Sequence, residues 1–250
     1  LPITSIPPGQ GDLDRDRPLL TVIMPVYNER DTVLEILGLV QAVELDKEII
    51  LVDDGSSDGT AELLKSAAAG LPGVRLMFHR VNQGKGAAIR TGLTQARGRF
   101  TIIQDADLEY DPRDYPRLLA PLLEGRSRVV YGSRILGSAQ KRSYTRYYWG
   151  GRFLSWLTNL LYGSTITDEP TCYKVFETRL LKSFDLKSQG FEFCPEVTAK
   201  TLKAGLKVIE VPITYNPRSF EQGKKIRAAD GLKAIWILFK HRFGPEKFSN

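Results

Sequence analysis

Only two cysteines, Cys172 and Cys194, occur in the 250 residues. That supply excludes a disulfide framework, and a reducing, cytoplasmic compartment is the expectation. No stretch approaches the roughly 18 consecutive apolar residues that a membrane span requires, so the chain as given is not expected to cross a bilayer. Nor does a basic-then-apolar leader open it, which argues against secretion. Residues 1–18 hold Pro2, Pro7, Pro8, Gly9 and Gly11 with little periodicity and read as an irregular lead-in. What remains is ordinary for a globular protein, 42% hydrophobic and 26% charged. Such a length accommodates one catalytic domain. The net charge of +6 and the isoelectric point near 9.2 favour an anionic partner. Nucleic acid, anionic lipid headgroups and a phosphorylated substrate all qualify.

From Leu19 the chain alternates short apolar runs with helical spacing. Leu19–Met24 is a strand stopped by Pro25, and Val33, Leu34, Leu37 and Val40 give a helix over Asn28–Val40. Glu48–Val52 is a second strand, ending in Asp53-Asp54-Gly55-Ser56 before a helix that begins near Ala61. A third unit runs from Val74–Phe78 through Asn82-Gln83-Gly84-Lys85-Gly86 into a helix over Ala87–Ala96, and Phe100–Ile103 is the fourth strand. This alternation predicts an α/β fold with a mostly parallel, doubly wound sheet. Ligands bind such sheets outside the carboxyl ends of the strands, where every one of these polar loops falls.

The most informative stretch is Gln104–Pro112, QDADLEYDP. A strand that ends in Asp-Ala-Asp puts Asp105 and Asp107 on the same side of the backbone, with Glu109 one further step along. Carboxylates so placed suit Mg²⁺ or Mn²⁺ bridging to a diphosphate, although an isolated Asp-x-Asp reads equally well as a solvated acidic loop. Neighbouring loops favour the metal. Asp54 can accept hydrogen bonds from a base or ribose, and glycine-flanked Lys85 can approach phosphate closely. Taken singly, Asp53-Asp54-Gly55-Ser56 is also an ordinary helix-capping turn, and Gly84-Lys85-Gly86 a tight turn.

Together PVYNE, VDDGSSDGT, NQGKGAAIRTG, QDADLEYDP and GSR at 132–134, in this order, resemble a family 2 glycosyltransferase of the GT-A fold over roughly residues 21–227. TDEPTCYKVF, GFEFCPE and the Arg/Gly/Lys loop at 218–225 resemble its dolichol-phosphate mannose synthase branch and related polyprenyl-phosphate sugar transferases. The resemblance implies a nucleotide site made of Pro25, Tyr27, Glu29, Val52, Asp54, Lys85, Gln104 and Asp105, and a metal held by Asp105, Asp107 and Glu109. Several relatives carry glutamine where Glu109 stands. Asp168 carries over to the acceptor and sugar pocket. Lys225 matches the lysine of a closing loop, although the serine usual beside it is replaced.

The second half of the chain points to the acceptor. Arg134, Lys141, Arg142 and Arg146 interleave with Tyr144, Tyr147, Tyr148 and Trp149, a mixture that suits single-stranded nucleic acid or a membrane interface. Apolar Arg152–Tyr162 is too short to span a bilayer and reads as a helix lying on one or packed on the sheet. A second amphipathic helix, with Leu232, Ile235, Trp236, Leu238 and Phe239 rimmed by Lys233, Lys240, His241 and Arg242, closes the chain. The expected layout is a catalytic domain at 19–228, an acceptor or interface region at about 134–166, and a terminal helix and tail at 229–250.

A lipid phosphate needs no general base, because its second pKa of about 6 leaves it a dianion at neutral pH. Arg134, Arg146, Arg218 and Lys225 are the expected acceptor-phosphate ligands, with Asp168 the one candidate base should the acceptor be a hydroxyl. His79 and His241 are expected to be structural or solvent-facing. The favoured expectation is inverting, metal-dependent transfer of a hexose, mannose from GDP-mannose, to a polyprenyl or dolichyl phosphate. The reaction would take place on the cytoplasmic face of a membrane, with an anchoring segment or subunit as a possible addition and no nucleic acid partner. The alternatives are a UDP-glucose or other donor, a saccharide hydroxyl acceptor, or a non-enzymatic basic module that binds lipid or RNA.

Overall fold

A computed structural model describes residues 17–137, 145–218 and 228–244. Seven strands form one sheet in the order β3-β2-β1-β4-β6-β5-β7: β1 Leu20–Val26, β2 Lys47–Asp53, β3 Val74–Phe78, β4 Phe100–Ile103, β5 Val129–Ser133, β6 Lys174–Glu177 and β7 Val208–Pro212. All neighbours are parallel except β6, which runs antiparallel to both β4 and β5. The chain winds outward from β1 to β3, then returns to place β4 on the other side of β1. The crevice at a reversal of this kind is where doubly wound sheets bind ligands.

β1 and β4 are buried along their whole length, as their unbroken apolar runs require of strands covered on both faces. Helices α1 Val33–Ala42, α2 Thr60–Ala67 and α3 Lys85–Gln95 follow the first three strands, and α4 Tyr115–Leu123 follows β4. Further on come α5 Thr145–Tyr162, α6 Thr178–Ser183, α7 Phe193–Lys203 and α8 Ala228–Phe243. Leu157, Ala199 and Leu238 form a small second core where α5, α7 and α8 meet. The Tyr162 hydroxyl also ties α5 to α8 by donating to the Leu238 carbonyl at 2.8 Å.

Two boundaries differ from the sequence expectation, each for a local reason. The first helix starts at Val33 rather than Asn28 because Asn28 sits at a left-handed φ of 49°. Its backbone N–H donates instead to Ser56 Oγ at 2.9 Å, joining the loops after β1 and β2. The sequence reads as a strand over Thr171–Phe176, but β6 begins at Lys174, since the Thr171 N–H turns back on the Asp168 carbonyl. Both expected readings of Arg152–Tyr162 have a counterpart: one side of α5 packs on α7 and α8, while the other is exposed. Residues 1–16 of the expected lead-in, together with Lys141, Arg142, Tyr144 and residues 219–227 including Lys225, lie outside the described residues.

Glycines at the start of α3 permit the closest approach in the molecule that bears on the site. A Cβ on Gly86 would lie 2.5 Å from the Ser188 carbonyl oxygen, and Gly84, at φ 97°, meets the Gln189 carbonyl at the same distance. The Ala87 N–H donates to that Gln189 carbonyl at 2.9 Å, locking the 188–190 segment onto the helix start that carries Lys85. Gly86→Ala is therefore expected to destabilise the fold by about 1–3 kcal/mol, the usual range for overpacking against backbone. Urea unfolding measures it, and a midpoint equal to wild type would show that the contact yields.

Candidate active site

The loops after β1 and β2 form one hydrogen-bonded shelf. Asn28 Oδ1 accepts the Ser57 N–H at 2.8 Å, and the Glu29 N–H donates to Thr60 Oγ1 at 3.1 Å. Pro25 is buried at the end of β1, and Tyr27 and Glu29 are half-buried on the shelf. Asp54 is almost wholly buried and fully engaged. Its oxygens accept the N–H groups of Gln83 at 3.0 Å and Gly84 at 2.7 Å, and one lies 2.6 Å from His79 Nδ1. The other His79 nitrogen lies 2.9 Å from Thr91 Oγ1 on α3, so His79 has a structural place. Asp54 thus organises the turn that presents Lys85. Val52, expected at the nucleotide, is fully buried beneath α3 in the middle of the sheet, between β1 and β3, and reaches no ligand surface.

Gln104, expected at the nucleotide, is fully buried. Its Oε1 accepts the hydroxyls of Tyr115 at 2.6 Å and Tyr173 at 2.7 Å, and its Nε2 donates to the Asp105 carbonyl at 2.9 Å. It steers the chain out of β4 instead of meeting a ligand. Extended geometry stops at Ile103, and Leu108 takes a left-handed φ of 61°, so the alternation expected to align the carboxylates is broken. Asp105 turns toward α3, with Oδ1 2.5 Å from Lys85 Nζ. On the other flank the Asp107 side chain accepts the Glu109 N–H at 3.2 Å. Glu109 in turn accepts the Arg218 N–H at 2.8 Å and the Tyr215 hydroxyl at 3.1 Å.

Arg218 was expected at the acceptor phosphate, yet it ties the β1 loop to the β4 loop. Its guanidinium donates to Glu29 Oε2 at 2.8 Å and to the Asp107 carbonyl at 2.7 Å. A planar fork matches a carboxylate and a carbonyl held side by side in this way.

Among the described residues no three His, Cys, Asp or Glu side chains stand ready as a metal cage. The donor set nonetheless fits a hard divalent cation. Burial first, then the neighbouring Asp105 and Glu109 carboxylates, push the Asp107 carboxyl up to about 7 despite the opposing pull of Arg218. Negative charge here exceeds what the side chains balance, and oxygen donors in that state are what such ions take. Lys85 compensates part of it. Burial alone would lower its pKa, but Asp105 more than offsets this and raises it.

The far half of the crevice rests on one buried ion pair. Arg134 Nε and Nη2 each lie 2.8 Å from an oxygen of Asp168, and the Arg134 N–H adds a third bond of 2.8 Å. Burial would raise the Asp168 pKa, but Arg134 holds it below the usual carboxylate range. Glu210 on β7 fixes the Asp168 turn by accepting the N–H groups of Thr167 at 2.7 Å and Asp168 at 3.0 Å. The Arg134 guanidinium also lies 5.1 Å from the Tyr215 ring centroid. Arg146 belongs to α5, and its side chain lies outside the described residues, as does Lys225. Reading the sequence missed Glu210, Tyr215 and Thr32, whose hydroxyl donates to the Ala106 carbonyl at 2.7 Å. Only the apolar run Val208–Ile213, which reads as a strand in the sequence, hinted that Glu210 would reach this edge.

The fold is that of the GT-A glycosyltransferases. The model of Glycosyl transferase family 2 matches residues 21–184, more than half of the chain, and the chain belongs to that family. Polyprenol monophosphomannose synthase from Mycolicibacterium smegmatis is 32% identical over 230 residues, covering 86% of this chain and 85% of that protein. A UDP-N-acetylglucosamine–dolichyl-phosphate N-acetylglucosaminyltransferase from Methanococcus voltae is 28% identical over 244 residues, with coverages of 90% and 97%. In fold, the chain is similar to Mycobacterium tuberculosis glucosyl-3-phosphoglycerate synthase, solved with Mn²⁺, UDP and glucosyl-3-phosphoglycerate. The TM-score is 0.67 at 20% identity, over 92% of this chain and 82% of that one. This chain is a glycosyltransferase with polyprenyl-phosphate sugar transferases among its relatives.

Two outcomes follow from the charges. Because the folded-state pKa of Asp107 is raised, proton binding stabilises the folded protein, and that contribution is lost as pH rises through about 7. A cation taken up by Asp107 would have to displace the same proton. Mn²⁺ affinity by calorimetry is therefore expected to climb up to about tenfold per pH unit below 7 and to level off above it. Asp107→Asn should flatten the profile, and a flat wild-type profile would remove Asp107 from the metal. Arg134→Ala strands the Asp168 carboxylate and is expected to cost about 3–5 kcal/mol of stability. Adding Asp168→Asn should recover much of that in urea unfolding, whereas strictly additive losses would contradict the pairing.

Proposed function

We propose that this enzyme transfers a hexose, with mannose from GDP-mannose favoured, to a polyprenyl or dolichyl phosphate at the cytoplasmic face of a membrane. The transfer is inverting and depends on Mn²⁺ or Mg²⁺. One observation carries the reading. Trp149, Phe153, Trp156 and Leu160 on α5 and Leu232, Trp236, Phe239 and Phe243 on α8 are 41–75% exposed. Both sets recur at helical spacings of four, three and four residues, so each is a stripe along one side of its helix. Cations frame the second stripe, with Lys240 5.0 Å from the Trp236 ring centroid. Apolar side chains at this density with a basic rim suit the headgroup boundary of an anionic bilayer better than RNA.

Helix α5 is fastened to the site, and α8 is fastened to α5. The Glu169 N–H donates to Ser155 Oγ on α5 at 2.9 Å, next to Asp168. An acceptor held in the bilayer would thus meet Arg134 at the membrane side of the crevice. The named activities of the polyprenyl-phosphate relatives support the same acceptor and, for the 32% identical one, the same sugar.

A phosphate dianion attacks without losing a proton, so the site has to gather charge rather than abstract hydrogen. Arg134, Arg146, Arg218 and Lys225 are the cations we assign to the acceptor phosphate, Arg218 after it leaves Glu29. Asp168, with both oxygens engaged by Arg134 and its pKa held low, is a poor base and serves to aim the guanidinium. Pro25, Tyr27 and Glu29 receive the nucleoside, while Lys85 faces the diphosphate. A divalent ion held by Asp105 and Asp107, with Glu109 beside them, would neutralise the leaving diphosphate.

Incubation with a panel of nucleotide sugars, Mn²⁺ and a short polyprenyl phosphate, with the lipid product identified by mass, tests the reaction. The expected product is mannosyl-phosphate lipid of inverted anomeric configuration, and retention of configuration or an unreactive lipid phosphate would contradict the proposal. Membrane binding has its own assay. Trp156→Asp and Trp236→Asp each remove apolar burial of about 1.5–3 kcal/mol, so sedimentation with anionic vesicles should weaken about ten- to hundredfold. Undiminished sedimentation of both would assign the stripes another role.

A further inference from the structure

The turn that carries Asp168 is held almost entirely by side chains. From Ile166 to Glu169 each backbone N–H and C=O has a partner, but among the described residues only the Asp168 carbonyl finds one on the backbone, the Thr171 N–H at a long 3.5 Å. Glu210 takes the N–H groups of Thr167 and Asp168, and Lys174 Nζ donates to the Glu169 carbonyl. Everything else comes from α5. We propose that Asn159 of α5 is a positioning residue for the acceptor, fixing this turn and, through Asp168, the reach of Arg134. The proposal rests on the acceptor half of the function above and names the residue that joins the membrane helix to the acceptor cation.

Asn159 spends its whole amide on one residue of the turn. Its Oδ1 accepts the Ile166 N–H at 2.8 Å and its Nδ2 donates to the Ile166 carbonyl at 2.9 Å. A carboxylate of the same length offers only acceptors and a hydroxyl is too short, so the double contact calls for asparagine. The Ser164 hydroxyl donates to the same Oδ1 at 2.6 Å and holds the amide in that orientation. Ile166 is buried, which makes water a poor substitute for either bond.

Two neighbours extend the clamp along the helix. Ser155 Oγ accepts the Glu169 N–H at 2.9 Å, and Arg152 Nη1 donates to the Thr167 carbonyl at 3.2 Å. Residues 152, 155 and 159 are spaced by three and four, so they share one face of α5, next to the face that carries Trp149, Phe153, Trp156 and Leu160. Gly151 brings helix and turn together, since a Cβ there would lie 3.3 Å from Pro170 Cγ. Where α5 sits therefore decides where Asp168 sits. Asp168 grips the Arg134 guanidinium with both oxygens, so a shift of the turn moves the cation that meets the acceptor phosphate, and transfer is sensitive to small misplacements of this kind. Among the described residues no hydrogen bond joins Arg152, Ser155 or Asn159 to the nucleoside shelf or to Lys85, so the donor should not feel the loss of Asn159.

Steady-state kinetics would compare wild type with Asn159→Ala, Asn159→Asp and Leu157→Ala, and repeat Asn159→Ala in an Arg134→Ala background. Leu157 packs in the second core against α7 and α8, so its truncation loosens the helix without touching the turn. Asn159→Ala should lower kcat/KM for a short polyprenyl phosphate at least about tenfold, while the KM of the nucleotide sugar stays within about twofold and so certifies folding. Asn159→Asp keeps the bond from the Ile166 N–H and should fall between wild type and Asn159→Ala. Should Asn159→Ala not fold, Asn159→Asp carries the comparison. Leu157→Ala should lower the urea midpoint without producing that split. In the Arg134→Ala background Asn159→Ala should lose most of its effect, because one acts through the other. Equal losses toward donor and acceptor, the same split from Leu157→Ala, or full additivity with Arg134→Ala would overturn the proposal and leave glycosyl transfer standing. A wild-type enzyme that ignored lipid phosphate but glycosylated a saccharide hydroxyl would overturn the lipid acceptor instead, and the same split measured with that saccharide would decide on Asn159.

Discussion

An excess of negative charge at the mouth of β4 governs this structure. Asp105, Asp107, Glu109 and Glu29 come from loops that meet only because β1 and β4 are neighbours, and their mutual repulsion has to be met by cations from elsewhere. Lys85 arrives from the start of α3 and Arg218 from beyond β7, each reaching across more than one hundred residues or across the sheet order to do so. The raised pKa of Asp107 shows that the balance remains incomplete. In isolation the crevice is thus a polyanionic seat partly filled by the protein's own side chains, and cationic ligands compete for it on favourable terms.

The same economy shapes the residues that touch no substrate. Asp54 and Gln104 look like ligand residues in a polar loop, but both are buried and spend their hydrogen bonds on the chain. One holds the turn that aims Lys85, and the other holds the backbone that aims Asp105. Asp168 plays a comparable part for Arg134. The motifs of the crevice therefore divide into side chains that face the solvent-filled cleft and side chains that keep them there.

Much of this was legible beforehand, because apolar runs such as Phe100–Ile103 and Glu48–Val52 end abruptly in polar loops, and because such runs are long enough to identify a parallel sheet. β6 was harder. A strand is legible from Thr171 to Phe176, but nothing local records that it is only four residues long with a buried lysine, Lys174, or that it runs backwards. α7 hid for a related reason: Glu196, Thr198 and Lys200 are buried, so its polarity misreports its position. Tertiary contacts resolve the conflict, with Glu196 accepting the N–H groups of Lys187 at 2.8 Å and Ser188 at 2.7 Å, and Lys200 donating to the Phe184 carbonyl at 2.6 Å. Within the site, the expected alignment of the carboxylates failed at Leu108, where a left-handed backbone in a leucine carries no compositional warning. The ion pair between Arg134 and Asp168 was invisible for another reason, since its members are separated by the whole 134–166 excursion.

The reversed direction of β6 has a consequence for how such a chain diversifies. In an all-parallel sheet only the trailing ends of strands reach the ligand edge, but here the leading end of β6 arrives there too, bringing the Thr167–Thr171 turn with it. The chain between β5 and β6 is then an excursion that leaves the edge at Ser133 and returns to it at the turn, where Arg134 and Asp168 clasp its two ends. Lengthening or exchanging that excursion remodels one bank of the cleft without disturbing the registry of β1, β2 and β4. A scaffold arranged in this manner can retain one donor chemistry while trading recipients.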